Sequence, residues 1–208
     1  MDIYQLFPSP FFVRKLSSDS YSNVLTEIKK FHKNFVNSEK LNVETVYSEN
    51  ASVSLIDNEI FSPFIREVEQ ISQKVFNEIF NYKDVNTYVS DIWSTCLKPG
   101  EQGQIHYHSN SYLSGVWYPF DIEYSDISFY SPNNEKNCLN LVTNVVEFNV
   151  LNSSCFTFTP KKEDLILFPS YLTHQVSQNI FNKPRYSLAF NIFVRGKLYA
   201  NTSKIFLR

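Results

Sequence analysis

Near residue 86 the hydrophobic periodicity of this sequence changes from a helical repeat to alternation, and it stays alternating almost to the end of the 208 residues. Successive side chains of a strand point to opposite faces, so a stretch of this kind buries its apolar half only by pairing into sheets. Strands are predicted at residues 88–97, 104–108, 112–120, 127–130, 142–150, 155–159, 164–168, 174–176 and 186–194. Turn-forming clusters separate them, among them Pro99-Gly100, Ser131-Pro132-Asn133-Asn134, Asn152-Ser153-Ser154 and Asn182-Lys183-Pro184. Many short strands at fairly even spacing predict a sandwich or jelly roll.

Two segments ahead of that point repeat at helical spacing. Tyr21, Val24, Leu25, Ile28, Phe31 and Phe35 share one stripe, behind the capping cluster Ser17-Ser18-Asp19-Ser20. A second helix is expected to open with Ser62 as its cap and Pro63 at its first position, carrying Phe64, Ile65, Val68, Ile71, Val75 and Ile79. Two helices alone leave both stripes uncovered, so they should pack on the outside of the β unit. The expected fold is therefore mainly β (α+β): a double-stranded β-helix, or jelly roll, with N-terminal flanking α-helices. One domain over residues 1–208 is expected, with 1–85 as helical N-terminal support and 86–196 as the core.

Composition narrows the function classes. Apolar residues at 43% and aromatics at 16% describe a globular chain. A net charge of −2 and a pI near 6.1 provide no basic field for phosphate backbones, so a nucleic-acid partner is not indicated. No run approaches the roughly 20 apolar residues of a membrane span, and the opening Met1-Asp2-Ile3-Tyr4-Gln5 lacks the basic start of a secretion signal. Cys96, Cys138 and Cys155 are odd in number and form no CxxC pair, which predicts structural thiols and a cytoplasmic location.

Histidine carries the chemistry. Only four occur, and three of them, His106, His108 and His174, fall in the β half. In Gln104-Ile105-His106-Tyr107-His108 a strand repeat of two places both imidazoles on one face, where they can chelate a single ion. His174 follows the apolar run Leu165-Ile166-Leu167-Phe168, and Arg185 opens Arg185-Tyr186-Ser187-Leu188-Ala189-Phe190-Asn191 eleven residues later. His32, beside the first apolar stripe, is expected to be structural, and Trp93 and Trp117 to be core.

The ordered set of Trp93, Pro99-Gly100, His106-Tyr107-His108, Ser114-Gly115-Val116-Trp117-Tyr118, Phe168-Pro169-Ser170, His174-Gln175-Val176 and Arg185-Tyr186-Ser187 resembles the 2-oxoglutarate and Fe(II)-dependent oxygenases. It is most similar to their small bacterial and phage-encoded group with an HxH motif, over roughly residues 90 to 195. The resemblance implies iron held by His106, His108 and His174, with 2-oxoglutarate as co-substrate and O2 as oxidant. Arg185 would meet the far carboxylate of the keto acid with its planar fork. Ser187 and Tyr118 are candidates for further hydrogen bonds to it, and Asn191 for one within the site. The activity implied is oxidation of a small molecule or peptide, releasing succinate and CO2.

Most of the superfamily places Asp or Glu where this chain has His108. A three-histidine face adds no ligand charge, so Glu101, Asp121 or Glu123 is a candidate to complete the metal site, as is the alternative frame His108-Ser109-Asn110. Two rival readings share the histidines. One is a cupin-like three-histidine dioxygenase that does without 2-oxoglutarate, and the other a non-enzymatic jelly roll that binds no metal. Neither oligomeric state nor substrate is encoded in any motif of the chain.

Overall fold

In chain order the strands are β1 (Phe12–Lys15), β2 (Val85–Leu97), β3 (Leu113–Trp117), β4 (Ile127–Tyr130), β5 (Cys155–Phe158), β6 (Asp164–Pro169), β7 (His174–Val176), β8 (Arg185–Tyr199) and β9 (Lys204–Leu207). The helices are α1 (Ser22–Val36) and α2 (Ser62–Lys74). The structure is a computed structural model and describes residues 8–36, 51–121, 123–132, 146–149, 152–199 and 204–207. The larger sheet runs β1-β6-β3-β8-β2, with β9 paired to the far end of β8, and the smaller runs β5-β4-β7. Every pairing is antiparallel.

Each face of the larger sheet has its own core. Val24 and Ile28 of α1 and Phe64 and Val68 of α2 are buried against Trp117, Leu188 and Phe190 of the sheet's outer face. Phe64 stacks on Trp117 with ring centroids 4.9 Å apart, and the Trp117 indole donates to Leu16 O at 3.1 Å. On the inner face Ile166 and Phe168 meet Ile127 and Phe129 of the smaller sheet. With both faces covered, β6 is buried at every position, so Leu165-Ile166-Leu167-Phe168 reads as a continuous apolar run.

Close approach fixes the Ser114-Gly115 pair. A Cβ on Gly115 would run into the Phe190 ring and come within 2.6 Å of Ile166 O, so only glycine lets β3 lie between its neighbours. Gly115→Ala is expected to destabilise the fold by about 1–3 kcal/mol through overpacking. Thermal unfolding checks this, and an unchanged midpoint would show that the Phe190 ring can move aside.

Several expectations are corrected. Residues 104–108 form no strand; His106 makes a single bridge to His174 there. The cap position of α2 is Phe61 rather than Ser62, so Pro63 is the second helical residue. The helix then widens to a π turn over Val75–Ile79, which rotates the stripe and leaves Ile79 57% exposed. On α1, Phe31 is 42% exposed, while His32 is buried with its ring nitrogen 2.9 Å from Ser94 Oγ. The strand expected at 142–150 lies largely outside the described residues, as does Cys138; residues 146–149, which are described, are not strand. β1 and β9 were not predicted. No described helix is long and apolar enough to cross a membrane.

Candidate metal centre and the cavity beside it

His106 and His174 are brought together by the backbone. The N–H of His106 donates to His174 O at 3.0 Å and that of His174 to His106 O at 2.8 Å. Residues paired in this way present their side chains on the same face, and the two ring centroids are 4.2 Å apart. His108 is tied to the same neighbour by its N–H on Ser170 O at 3.0 Å, and its ring centroid lies 5.1 Å from each of the other two. Gly103 N donates to Val176 O, so three steps on one segment match two on the other and no regular ladder forms. Ile105 and Tyr107 still face outward, 59% and 61% exposed.

The hydrogen-bond partners of Nδ1 fix which nitrogen of each ring carries the proton. His106 Nδ1 lies 2.9 Å from Gln104 O, His174 Nδ1 2.9 Å from Leu172 O, and His108 Nδ1 2.6 Å from Asn191 Oδ1. All three acceptors are carbonyl oxygens, so each neutral ring carries its proton on Nδ1 and a lone pair on Nε2. Ser114 Oγ also donates to Asn191 Oδ1 at 2.9 Å, holding the amide in place. Burial keeps the rings neutral: it lowers His106, brings His108 down to about 4 against the Asn191 hydrogen bond, and brings His174 to about 3, where His106 adds to the effect.

One ring nitrogen from each of the three histidines lies within 4.8 Å of the other two, close enough that the cluster could hold a metal ion. Nε2 of His106 and of His108 are 3.2 Å apart. Two lone pairs at that distance repel unless a cation joins them, and nitrogens each about 2.1 Å from one ion at right angles are about 3 Å apart. Among the described residues the cluster includes no carboxylate. Glu101 Oε2 instead accepts from Lys98 N at 2.8 Å within its turn, Asp121 and Glu123 are exposed, and Asn110 sits in an exposed turn.

The triad opens on a cavity of about 560 Å³ between the sheets. One wall is the β2–β8 ladder, where Leu97 pairs with Arg185, Thr95 with Ser187, Trp93 with Ala189 and Asp91 with Asn191, all lining the cavity. Arg185 is 2% exposed. Its Nη1 reaches Ser125 O at a long 3.4 Å, its Nε has no partner, and no described carboxylate pairs with it. Burial lowers its pKa, although the charges of nearby Tyr118 and Tyr124 act the other way. Ser187 Oγ lies 2.6 Å from Thr95 Oγ1, and the Tyr118 side chain is buried beside Arg185, with burial pushing its phenol well up. A buried guanidinium with five donors and one weak acceptor is costly to fold around, which marks this end of the cavity as a place for an anion.

Residues 91–191 match the family model described as "Putative 2OG-Fe(II) oxygenase". The chain carries a 2OG-Fe(II) oxygenase domain. The family is one of oxidoreductases, and its name implies Fe(II) and 2-oxoglutarate. A prolyl-4-hydroxylase from Pseudomonas putida shares the fold, with a TM-score of 0.54 at 11% identity over 88% of this chain and 86% of that one. An oxidoreductase of the 2OG-Fe(II) oxygenase family from Burkholderia pseudomallei gives 0.43 at 10% identity, over 58% and 50%. No curated protein matches the chain closely enough to count as a relative.

The oxygenase domain brings His106, His108, His174, Arg185, Ser187, Tyr118 and Asn191 to one cavity or its lining. Trp93, expected in the core, lines the cavity too, 5.7 Å from the His108 ring, whereas Trp117 is core. Sequence reasoning missed Asp91 and Thr95, although both alternate with Trp93 on one strand. It also missed the buried Ser125, whose Oγ has no partner either.

Proposed function

We propose that this protein is an Fe(II)- and 2-oxoglutarate-dependent dioxygenase in which His106, His108 and His174 hold the iron and Arg185 holds the far carboxylate of 2-oxoglutarate. One observation carries the reading: three converging neutral imidazoles and a buried guanidinium without an anion share a single cavity. Imidazole suits iron, and a planar fork suits a carboxylate. Ser187 and the Tyr118 hydroxyl stand beside Arg185 as further donors. Asn191 keeps the His108 proton on Nδ1 and so keeps Nε2 available.

When bound, iron and 2-oxoglutarate supply the oxidant, O2 splitting the keto acid to succinate and CO2 while its second oxygen atom oxidises the substrate. The residues of the chain bind, orient and desolvate. Because the triad is neutral, the keto-acid carboxylate of the co-substrate would bring the one negative charge to the metal, its far carboxylate being paired with Arg185. Residues 1–85, which carry α1, α2 and the edge strand β1, support the core at 86–196 within one domain, and the free thiols of Cys96 and Cys155 suit a reducing cytoplasm.

The lack of a carboxylate in the triad favours one other reading, a three-histidine dioxygenase without 2-oxoglutarate. It leaves Arg185 with no anion to bind. The experiment is direct: iron-loaded protein should bind 2-oxoglutarate and release succinate from it. Neither binding nor decarboxylation across a broad substrate panel would sink the proposal.

A further inference from the structure

The inner face of β2 does not begin where its alternation suggests. Val85, Thr87 and Val89 are buried beneath α2, which would send Asp91 to the same side. The pairing with β8 slips at this point: Val89 pairs with Ile192 and Asp91 with Asn191, so Ser90 is an extra residue without a partner. A bulge of one residue reverses the phase of a strand, and such bulges re-aim side chains beside functional sites. After it Ile92, Ser94 and Cys96 are buried on the helix side, and Asp91, Trp93, Thr95 and Leu97 line the cavity.

The reversal gives the cavity two charged ends. Arg185 and Asp91 are the one cation and the one carboxylate among its described lining residues, six positions apart along β2 if Arg185 is counted by its partner Leu97. Asp91 is also specifically held. Ser54 Oγ donates to its Oδ1 at 2.6 Å and Ile92 N to the same atom at 2.9 Å, leaving Oδ2 without a hydrogen bond to any described residue. Its cross-strand neighbour is Asn191, the residue that orients His108. Directly opposed residues have Cβ atoms about 5 Å apart, so Asp91 is a side chain's length from the triad. Trp93, between Asp91 and Arg185 on the same face, offers an aromatic face to an alkyl chain or a cation.

We propose that the substrate of this site carries a cationic group, an alkylammonium or a guanidinium, received by Asp91, and is oxidised at a carbon a few bonds from that charge. The proposal rests on the oxygenase reading for the place of the chemistry. With 2-oxoglutarate at the Arg185 end, the substrate enters from the Asp91 end. A carboxylate with one oxygen fixed and the other open binds a charged donor more strongly than a neutral one.

The test uses the full chain loaded with Zn(II) and 2-oxoglutarate, which is inert to O2 and suited to ligand-observed NMR. The probes are butylammonium and butylguanidinium, against butanol and butylurea. The cationic probes are expected to bind at least about tenfold more tightly than the neutral ones, the worth of one charge-assisted hydrogen bond. Asp91→Asn should erase that preference and leave 2-oxoglutarate affinity unchanged. Asparagine keeps Oδ1 as acceptor for Ser54 and Ile92, so a merely structural role would not move the preference.

Equal binding of charged and neutral probes, no binding of either, or a preference that survives in Asp91→Asn would overturn the inference. A wild-type chain that fails to bind 2-oxoglutarate sinks the oxygenase reading, whereas one that binds it without a cation preference sinks this inference alone. Should Asp91→Asn fail to fold, the wild-type selectivity decides the matter by itself.

Discussion

Arg185→Met is expected to make the ligand-free protein more stable and to remove its affinity for 2-oxoglutarate. The two effects have one cause. In the folded chain the guanidinium is 2% exposed, with one long hydrogen bond and an Nε that has no partner. Exchanging an uncompensated buried charge for an apolar side chain of similar reach stabilises a fold by about 1–3 kcal/mol. The same exchange leaves the far carboxylate of the co-substrate buried without a counter-charge, which costs about 3–5 kcal/mol, or at least a hundredfold in affinity. Thermal unfolding with and without 2-oxoglutarate reads both. The wild type should gain stability with added co-substrate, as any ligand of the native state confers, and the variant should start higher and gain nothing. A variant that starts lower and still responds would mean that Arg185 braces the fold and binds no anion.

Much of this site was legible because strand alternation survives local irregularity. On β8 the apolar Leu188, Phe190 and Ile192 face the helices, and Arg185, Ser187 and Asn191 face the cavity, as a repeat of two requires. His106 and His108 share a face even though their segment is held to its neighbour by a bridge rather than a ladder. What alternation could not show was a change of phase. Counted forward from Val89, Asp91 belongs to the helix side; only the pairing with β8 reveals Ser90 as the extra residue. The same limit applies to α1, where periodicity chose Phe31 and the Ser94 hydroxyl on β2 drew His32 inward instead. Burial on both faces likewise hid the orientation of β6, since a continuous apolar run has no polar side to mark.

His174→Ala is expected to cost the protein its iron, and Asn191→Leu to weaken iron binding by about 10–100-fold, the usual worth of a residue that orients a ligand. The difference follows from what each side chain does. His174 supplies one of three donors in a cluster with no carboxylate to compensate, so its loss leaves two neutral imidazoles and should exceed the effect of any supporting residue. Asn191 touches no metal-binding atom; its Oδ1 takes the Nδ1 proton of His108, and without that acceptor the ring is free to rotate or to carry its proton on Nε2. Asn191→Asp keeps an acceptor at the same place and is expected to retain iron near the wild-type level. Iron titration of the three variants, with folding followed by circular dichroism, tests the order. Stoichiometric iron in His174→Ala would remove that residue from the centre, and equal losses in Asn191→Leu and Asn191→Asp would show that packing, not the hydrogen bond to His108, accounts for the position.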